Sequence, residues 1–209
     1  MSVPVKGRTT VRTEQAARTR QRILEAAHGE FVEYGFTAAR IEDIAANAGV
    51  AVPTVYKVYA NKRNLLVHTL NRALAGEDAD RIDQQAWFKE QLTAPDPVDQ
   101  LALIARNARQ LYERSSALLA VLDAAAPGDD ELQALREDFA AQRVTRSQRT
   151  ARSLAAKLGR RLRLSRAETA LTLLALTEPA LFSAFIATGA TPAAYEAWLA
   201  DVLTRALIR

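Results

Sequence analysis

The side chains best suited to binding chemistry lie in one short segment of the chain, residues 50–63. Thr54, Tyr56 and Lys57 fall within four positions, and Lys62 follows shortly after them. Hydroxyl groups bind phosphates or base edges, and a lysine ammonium neutralises phosphate charge. Their neighbours are small or apolar, which permits close approach to a groove: Ala51, Val52 and Pro53. These residue types indicate contact with a nucleic acid.

The distribution of charge supports the same interpretation. The formal net charge is +4; residues 1–63 hold 10 basic and 6 acidic side chains, and residues 64–209 hold 18 of each. A local positive excess favours a polyanionic partner, because lysine and arginine release counterions when they neutralise phosphates. A solvated basic tail is the alternative explanation.

The sequence offers little for catalysis. It has no cysteine and two histidines, His28 and His68, which lie on separate predicted helices without a partner at metal-binding spacing. Paired carboxylates at a recognisable spacing and a glycine-rich phosphate loop are also lacking. We therefore expect no metal, no cofactor and no enzymatic activity. The absence of cysteine, of a long apolar run and of an apolar N-terminal core predicts a cytoplasmic protein without a membrane span.

Helical periodicity surrounds the candidate binding segment. Ile23, Ala27 and Phe31 form an apolar stripe on a helix predicted over 13–34, with Gly35 as its cap. Two short helices over 39–47 and 50–59 meet at a turn containing Gly49, and Asn61 caps a helix that runs to about residue 75. This order of elements is that of a helix-turn-helix, whose second short helix enters the major groove.

The remainder of the chain is also predicted to be helical, and no strand is expected. The apolar spacing predicts helices over 87–92, 97–114, 116–126, 130–158, 166–188 with a kink at Pro179, and 192–208. The fold class is therefore all-α. We assign residues 1–12 to a flexible basic arm, 13–60 to a helix-turn-helix domain and 61–209 to a larger helical domain. The last two helices are too apolar for a solvated surface, so we expect them to form a four-helix bundle in a homodimer.

Residues 18–66 resemble the N-terminal domain of the tetracycline-repressor-type (TetR) transcriptional regulators. The matching features are the helix start RILEAA, Phe31 with Gly35, Ile44-Ala45, Ala48-Gly49-Val50, Thr54-Val55-Tyr56, and Asn61-Lys62-Arg63 before Leu65-Leu66. The resemblance implies a two-domain helical homodimer that binds double-stranded operator DNA. It also implies a C-terminal domain that binds a small-molecule effector and thereby lowers DNA affinity.

Carried over position by position, the resemblance implies DNA contacts by Thr54, Tyr56 and Lys57 and a phosphate contact by Lys62. Two departures from the family pattern concern hydroxyl groups. The family usually has serine or threonine near Ala39-Arg40 and serine at Ala51, where the hydroxyl caps a helix or touches phosphate. Arg40 supplies a charge for that contact instead, and Ala51 gives up a cap of about 1 kcal/mol. The predicted DNA-binding set is Arg40, Ala51, Val52, Pro53, Thr54, Tyr56, Lys57 and Lys62.

The effector site is harder to place, because aromatic residues at helical spacing are more often core than ligand contacts. The aromatic candidates are Trp87, Tyr112 and Phe182, and the polar groups expected to orient a ligand are Asn107, Arg109 and Asp123. Arginines also recur every third residue over 143–152. They predict either a second nucleic-acid surface or charge complementarity within the domain, and the latter is favoured.

The leading hypothesis is a ligand-responsive homodimeric transcription regulator, more often a repressor, that acts at a palindromic operator. One alternative is a constitutive DNA-binding dimer whose C-terminal domain only dimerises, which a core without cavities would favour. The other is an all-helical enzyme that uses a C-terminal cavity.

Overall fold

The computed structural model describes residues 7–75 and 82–209, and the expected all-α fold is confirmed for them. The ten α-helices of these two ranges are α1 (Gly7–Ala38), α2 (Ile41–Asn47), α3 (Val52–Tyr59), α4 (Lys62–Ala75), α5 (Ala86–Thr93), α6 (Pro97–Ala125), α7 (Asp130–Leu158), α8 (Arg166–Leu176), α9 (Pro179–Ala187) and α10 (Pro192–Leu207). Residues 1–6 of the predicted arm lie outside the described residues. Residues 7–12 belong to α1, which begins before the predicted start at Thr13.

The chain divides into two compact units between Asn71 and Arg72. Most of α4 therefore belongs to the first unit, whereas the sequence assigned residues from 61 onward to the second domain. The physical reason is the burial of Leu65, Leu66 and Leu70, which are wholly inaccessible to solvent. Such leucines are part of a core rather than of a connecting segment.

The turn between α2 and α3 depends on a glycine. Gly49 has φ +63°, a region that residues with a β-carbon rarely adopt, and an added β-carbon would lie 3.4 Å from the Arg22 guanidinium. The turn is closed by the Val50 amide, which donates to the Ala45 carbonyl at 2.9 Å. The predicted role of Gly49 is confirmed.

The junction between α3 and α4 is tighter than the sequence indicates. Ala60 has φ 63° and ψ −46°, and the Asn61 amide donates to the Tyr59 carbonyl at 2.7 Å. This is the geometry of a γ-turn, which is rare for a residue with a side chain. The Asn61 side chain then accepts from the Asn64 amide at 2.7 Å, so the predicted cap of α4 is confirmed.

Two predicted boundaries in the second unit are wrong. The helices expected over 97–114 and 116–126 are one continuous helix, α6, within which the buried Ser115 hydroxyl is satisfied by donating to the Leu111 carbonyl one turn earlier. The helix expected over 166–188 is two helices, α8 and α9, with a 44° bend between them. Pro179 begins α9, so the predicted kink is a complete break.

No single helix within 7–75 and 82–209 is both long and apolar enough to cross a bilayer. Taken together, α8 and α9 reach the length and apolar composition of a span, but only as a bent pair.

Aromatic side chains of α9 and α10 form the densest part of the second core. The Tyr195 ring lies edge-on to Phe182 at 5.0 Å between centroids, and Phe185 and Trp198 pack beside it. Tyr195 is completely buried, and its hydroxyl has no hydrogen-bond partner among the described residues. Burial accordingly raises the pKa of this hydroxyl.

We expect Tyr195→Phe to leave the free energy of unfolding unchanged or to raise it by up to about 1 kcal/mol, because an unpaired buried hydroxyl opposes folding. Urea unfolding followed by circular dichroism measures the change. The matched control is Tyr112→Phe, which removes a hydroxyl that donates to the Thr177 carbonyl and should cost about 1 kcal/mol. A larger loss for Tyr195→Phe than for Tyr112→Phe would contradict this interpretation.

Candidate nucleic-acid interface and ligand cavity

The outward face of α3 carries the predicted DNA-binding side chains. Val55 and Tyr59 are buried and hold the helix to its unit. Tyr56 and Lys57 are exposed on the opposite face, together with Pro53. The remaining predicted residues are Ala51, which is exposed, and Val52 and Thr54, which are half-buried. The helix therefore presents a continuous surface of small, hydroxyl and cationic groups.

Tyr59 connects α3 to α1 and α4. Its hydroxyl donates to the Arg20 carbonyl of α1 at 3.4 Å, and its ring lies 5.3 Å from that of His68 on α4. Burial lowers the pKa of the other histidine, His28, on α1. Within the described ranges, no group of three histidine, aspartate or glutamate side chains is arranged to hold a metal ion.

Two helices, α2 and α3, begin at a residue that has no side-chain hydroxyl to cap the helix. Neither Arg40, the N-cap of α2, nor Ala51, the N-cap of α3, caps with its side chain. The Arg40 amide instead donates to the carboxylate of Glu30 on α1 at 3.2 Å. Glu30 is buried, and it takes the part that a glutamate at the third helical position plays in a capping box. The sequence signal for it was a carboxylate beside Phe31 on the apolar stripe of α1.

The Arg40 side chain is exposed and lies between two carboxylates. Its Nε is 3.7 Å from Glu42 and 3.8 Å from Asp43. Exposed ion pairs of this kind contribute about 0–1 kcal/mol. A phosphate can replace them at small cost, and the predicted phosphate contact of Arg40 stays a prediction.

Lys62 has a structural role that the sequence did not reveal. Its Nζ donates to the carbonyls of Thr37 and Ala39 at 3.0 Å each, and it lies 5.0 Å from the centre of the Phe36 ring. Partial burial lowers the pKa of this ammonium group. The group closes the end of α1, and only its third N–H is left for the predicted phosphate contact.

We expect Lys62→Met to lower the free energy of unfolding by about 1–2 kcal/mol, because the carbonyls of Thr37 and Ala39 lose a charged donor. The control is Lys57→Met, which removes the same charge from an exposed position and should change stability by less than about 0.5 kcal/mol. Denaturant unfolding of both variants tests the difference. Equal stability of the two variants would contradict the structural role of Lys62.

The second unit contains two neighbouring cavities that share walls. The aromatic cavity has a volume of about 80 Å³, and its walls include Trp87, Phe88 and Asn107. The charged cavity has a volume of about 120 Å³, and its walls include Asp123 and Glu178. The residues that line both are Ile82, Leu111, Tyr112, Arg143 and Arg146.

Four of the six predicted effector residues line these cavities: Trp87, Asn107, Tyr112 and Asp123. The other two lie elsewhere for physical reasons. Arg109 forms ion pairs with Glu113 and Glu196 and is not a wall residue. Phe182 is buried against the rings of Tyr112 and Tyr195, so it belongs to the core.

The aromatic cavity has polar residues that the sequence did not single out. The Asn107 amide donates to the Gln91 carbonyl oxygen at 3.1 Å, and the Gln91 amide donates to the Thr150 hydroxyl at 3.5 Å. All three side chains are buried. Gln91 lies one helical turn after Phe88, on the inward face of α5, which was the available signal.

The most connected group on the shared wall is Arg143. Its guanidinium donates to the carbonyls of Leu174 and Thr177 at 3.0 and 3.2 Å and forms an ion pair with Glu178. The Tyr112 hydroxyl also donates to the Thr177 carbonyl, and burial raises its pKa. These contacts satisfy the carbonyls exposed by the break between α8 and α9. The guanidinium of Arg149 lies 5.3 Å from the centre of the Phe88 ring, so two of the regularly spaced arginines of α7 make contacts within the domain.

The protein has several relatives. Residues 23–69 match the family model described as "Bacterial regulatory proteins, tetR family". The chain is 31% identical to the HTH-type transcriptional repressor NicS of Pseudomonas putida over 115 residues. This aligned stretch covers 55% of this chain and 51% of that protein. The match thus spans about half the length of this curated relative.

Solved structures resemble the whole chain. The structure of NalD, described as the secondary repressor of the MexAB-OprM multidrug efflux pump in Pseudomonas aeruginosa, is 26% identical with a TM-score of 0.71; the match covers 94% of this chain and 98% of that one. A TetR-like transcriptional regulator from Rhodococcus sp. RHA1 has the same fold at 21% identity, with a TM-score of 0.60 over 90% of this chain and 94% of that one. The family match therefore places the helix-turn-helix, residues 23–69, with the TetR family of bacterial regulatory proteins, and the whole chain shares the fold of the solved regulators.

Proposed function

We propose that this protein is a homodimeric DNA-binding transcription regulator, a repressor that a small-molecule effector releases from a palindromic operator. The observation that carries the proposal is the exposed face of α3, where Tyr56 and Lys57 stand opposite the buried Val55 and Tyr59. A short helix with one face packed against its own unit and the other face exposed is suited to enter the major groove.

The contacts fall into two classes. Thr54 and Tyr56 supply hydroxyl groups for base edges or phosphates, and the small neighbours Ala51, Val52 and Pro53 allow the backbone to approach the groove. Lys57, Arg40 and Lys62 supply positive charge for the phosphate backbone. Repression is supported by the relatives, since the Pseudomonas putida and Pseudomonas aeruginosa proteins are both named repressors.

We expect Tyr56→Ala and Lys57→Ala each to weaken binding to the DNA that flanks the protein's own gene by roughly tenfold, because each removes one groove contact. Lys57→Ala should also reduce the salt dependence of binding by about one phosphate contact. Fluorescence anisotropy at several salt concentrations measures both effects. Lys89→Ala, at an exposed position of α5, is the matched control and should bind as the parent does. Unchanged binding by the double variant Tyr56→Ala/Lys57→Ala would rule out this face of α3.

The proposed dimer interface is formed by α8, α9 and α10. Leu171 of α8 is 64% exposed, and Leu181, Phe185 and Ile186 of α9 are only partly covered. Apolar side chains concentrated in this way mark an interaction surface. A second copy satisfies it with twofold symmetry, and the same symmetry places two reading heads about 34–36 Å apart on a palindrome.

We expect Leu171→Asp to shift the dimer toward monomer at micromolar concentration, because the charge would be buried without a partner in the interface. Sedimentation velocity measures the distribution. Val98→Asp, at a valine of α6 that is 46% exposed, is the control and should remain dimeric. Identical sedimentation of the two variants would exclude Leu171 from the interface.

Effector control is supported by the two cavities. A domain that only dimerised would have no need of neighbouring hollow spaces lined by aromatic, amide and guanidinium groups. Their shared wall includes Arg143, which binds the break between α8 and α9. A molecule bound there would act on helices of the proposed interface.

A further inference from the structure

We propose that the effector is an organic carboxylate with a small apolar body, and that its carboxylate takes the place of Glu178 on Arg143. The inference rests on the proposed effector control and names the ligand class and the group it displaces. It follows from the ion pair between Arg143 and Glu178, in which the arginine side chain is held by further hydrogen bonds and the glutamate side chain is not.

Arg143 is the fixed member of the pair. Its side chain is 18% exposed, and two of its hydrogen bonds go to backbone carbonyls, those of Leu174 and Thr177. It lines both the aromatic and the charged cavity. A planar guanidinium held in this way presents its remaining donors in a constant direction, which suits a carboxylate.

Glu178 is the replaceable member. Its side chain is 45% exposed, and although Glu178 is the N-cap of α9, its carboxylate makes no capping hydrogen bond. Rotation of this side chain into water therefore sacrifices the contact with Arg143 and little else. A ligand carboxylate that arrives from the cavity can restore that contact.

The charges of the walls favour an anion. Three guanidinium groups face two carboxylates around the charged cavity: Arg136, Arg143, Arg146, Asp123 and Glu178. Burial raises the pKa of Asp123. With both carboxylates in place the walls carry a formal charge of +1, and when Glu178 turns into water they carry +2, which favours the binding of an anion.

The remaining wall residues indicate what kind of apolar group the ligand carries. Trp87, Phe88 and Tyr112 surround the aromatic cavity, and the amides of Gln91 and Asn107 bond to each other. The two cavities measure about 80 and 120 Å³. Since a cavity of about 150 Å³ holds benzene, neither space holds a ring with a carboxylate by itself, and the proposed ligand spans both at their shared wall, where Arg143 lies.

Displacement of Glu178 would change the contacts between α8 and α9, two helices of the proposed dimer interface. Glu178 directly precedes the first turn of α9, and the neighbouring Thr177 carbonyl accepts from both Arg143 and Tyr112. Loss of the ion pair between Arg143 and Glu178 removes one of the contacts at the 44° bend between α8 and α9. Binding in the cavity is therefore coupled to the relative orientation of two interface helices.

Isothermal titration calorimetry of the full chain with benzoate, benzamide and benzylamine tests the ligand class. We expect benzoate to bind at least tenfold more tightly than benzamide, and benzylamine not to bind. Tighter binding of benzylamine or benzamide than of benzoate would overturn the proposed class.

Glu178→Gln tests the displacement, because it removes the internal competitor while keeping the shape of the side chain. We expect it to bind benzoate roughly tenfold more tightly than the parent does, a coupling of ordinary size. Unchanged or weaker benzoate binding by Glu178→Gln would overturn the displacement. Arg143→Gln should abolish benzoate binding, and the matched control Arg109→Gln, which breaks ion pairs away from both cavities, should bind as the parent does.

The result for Glu178→Gln decides the matter even if Arg143→Gln fails to fold, which circular dichroism would show. Anisotropy with operator DNA, measured on the same samples, separates this inference from the proposed function. Retained DNA binding without benzoate binding to either the parent or Glu178→Gln overturns the ligand class alone. Benzoate binding in the expected order without DNA binding overturns the regulator alone.

Discussion

Every helix end exposes backbone groups that have no partner inside the helix, and a protein built of helices must satisfy them. In this chain, several ends are satisfied by side chains from distant elements. The Lys62 ammonium closes the end of α1, the Glu30 carboxylate accepts from the start of α2, and Arg143 binds the last carbonyls of α8. These contacts set the directions of the helices that follow.

In the first unit, this constraint holds the candidate recognition helix in place without the usual hydroxyl caps. Glu30 and Lys62 fix the chain immediately before α2, at residues 37–40, and Tyr59 ties α3 back to α1 through the Arg20 carbonyl. The turn at Gly49 and the γ-turn at Ala60 limit α3 at both ends. Tyr56 and Lys57 stay exposed on this helix, which suits the proposed contacts with DNA.

In the second unit, the need to satisfy exposed helix-end carbonyls brings a charged side chain next to the apolar core. The break between α8 and α9 exposes carbonyls that Arg143 and Tyr112 satisfy, and both side chains thereby become walls of the two cavities. The group that stabilises the bend is then also the group best suited to hold an anionic ligand. Stability and ligand response would thus share one guanidinium.

The sequence by itself determined the all-helical fold, the helix-turn-helix and the exposed positions of Tyr56 and Lys57, because apolar periodicity, glycine and capping residues act over a few positions. It also indicated Trp87, Asn107, Tyr112 and Asp123 as effector candidates, and these four line the two cavities. Only the tertiary structure decided that α6 is continuous, that Arg109 and Phe182 lie away from the cavities, and that Lys62 and Arg143 bind backbone carbonyls. Those outcomes depend on contacts between residues far apart in the chain, such as Arg143 with Glu178, and no local pattern encodes which distant partner a charged side chain will meet.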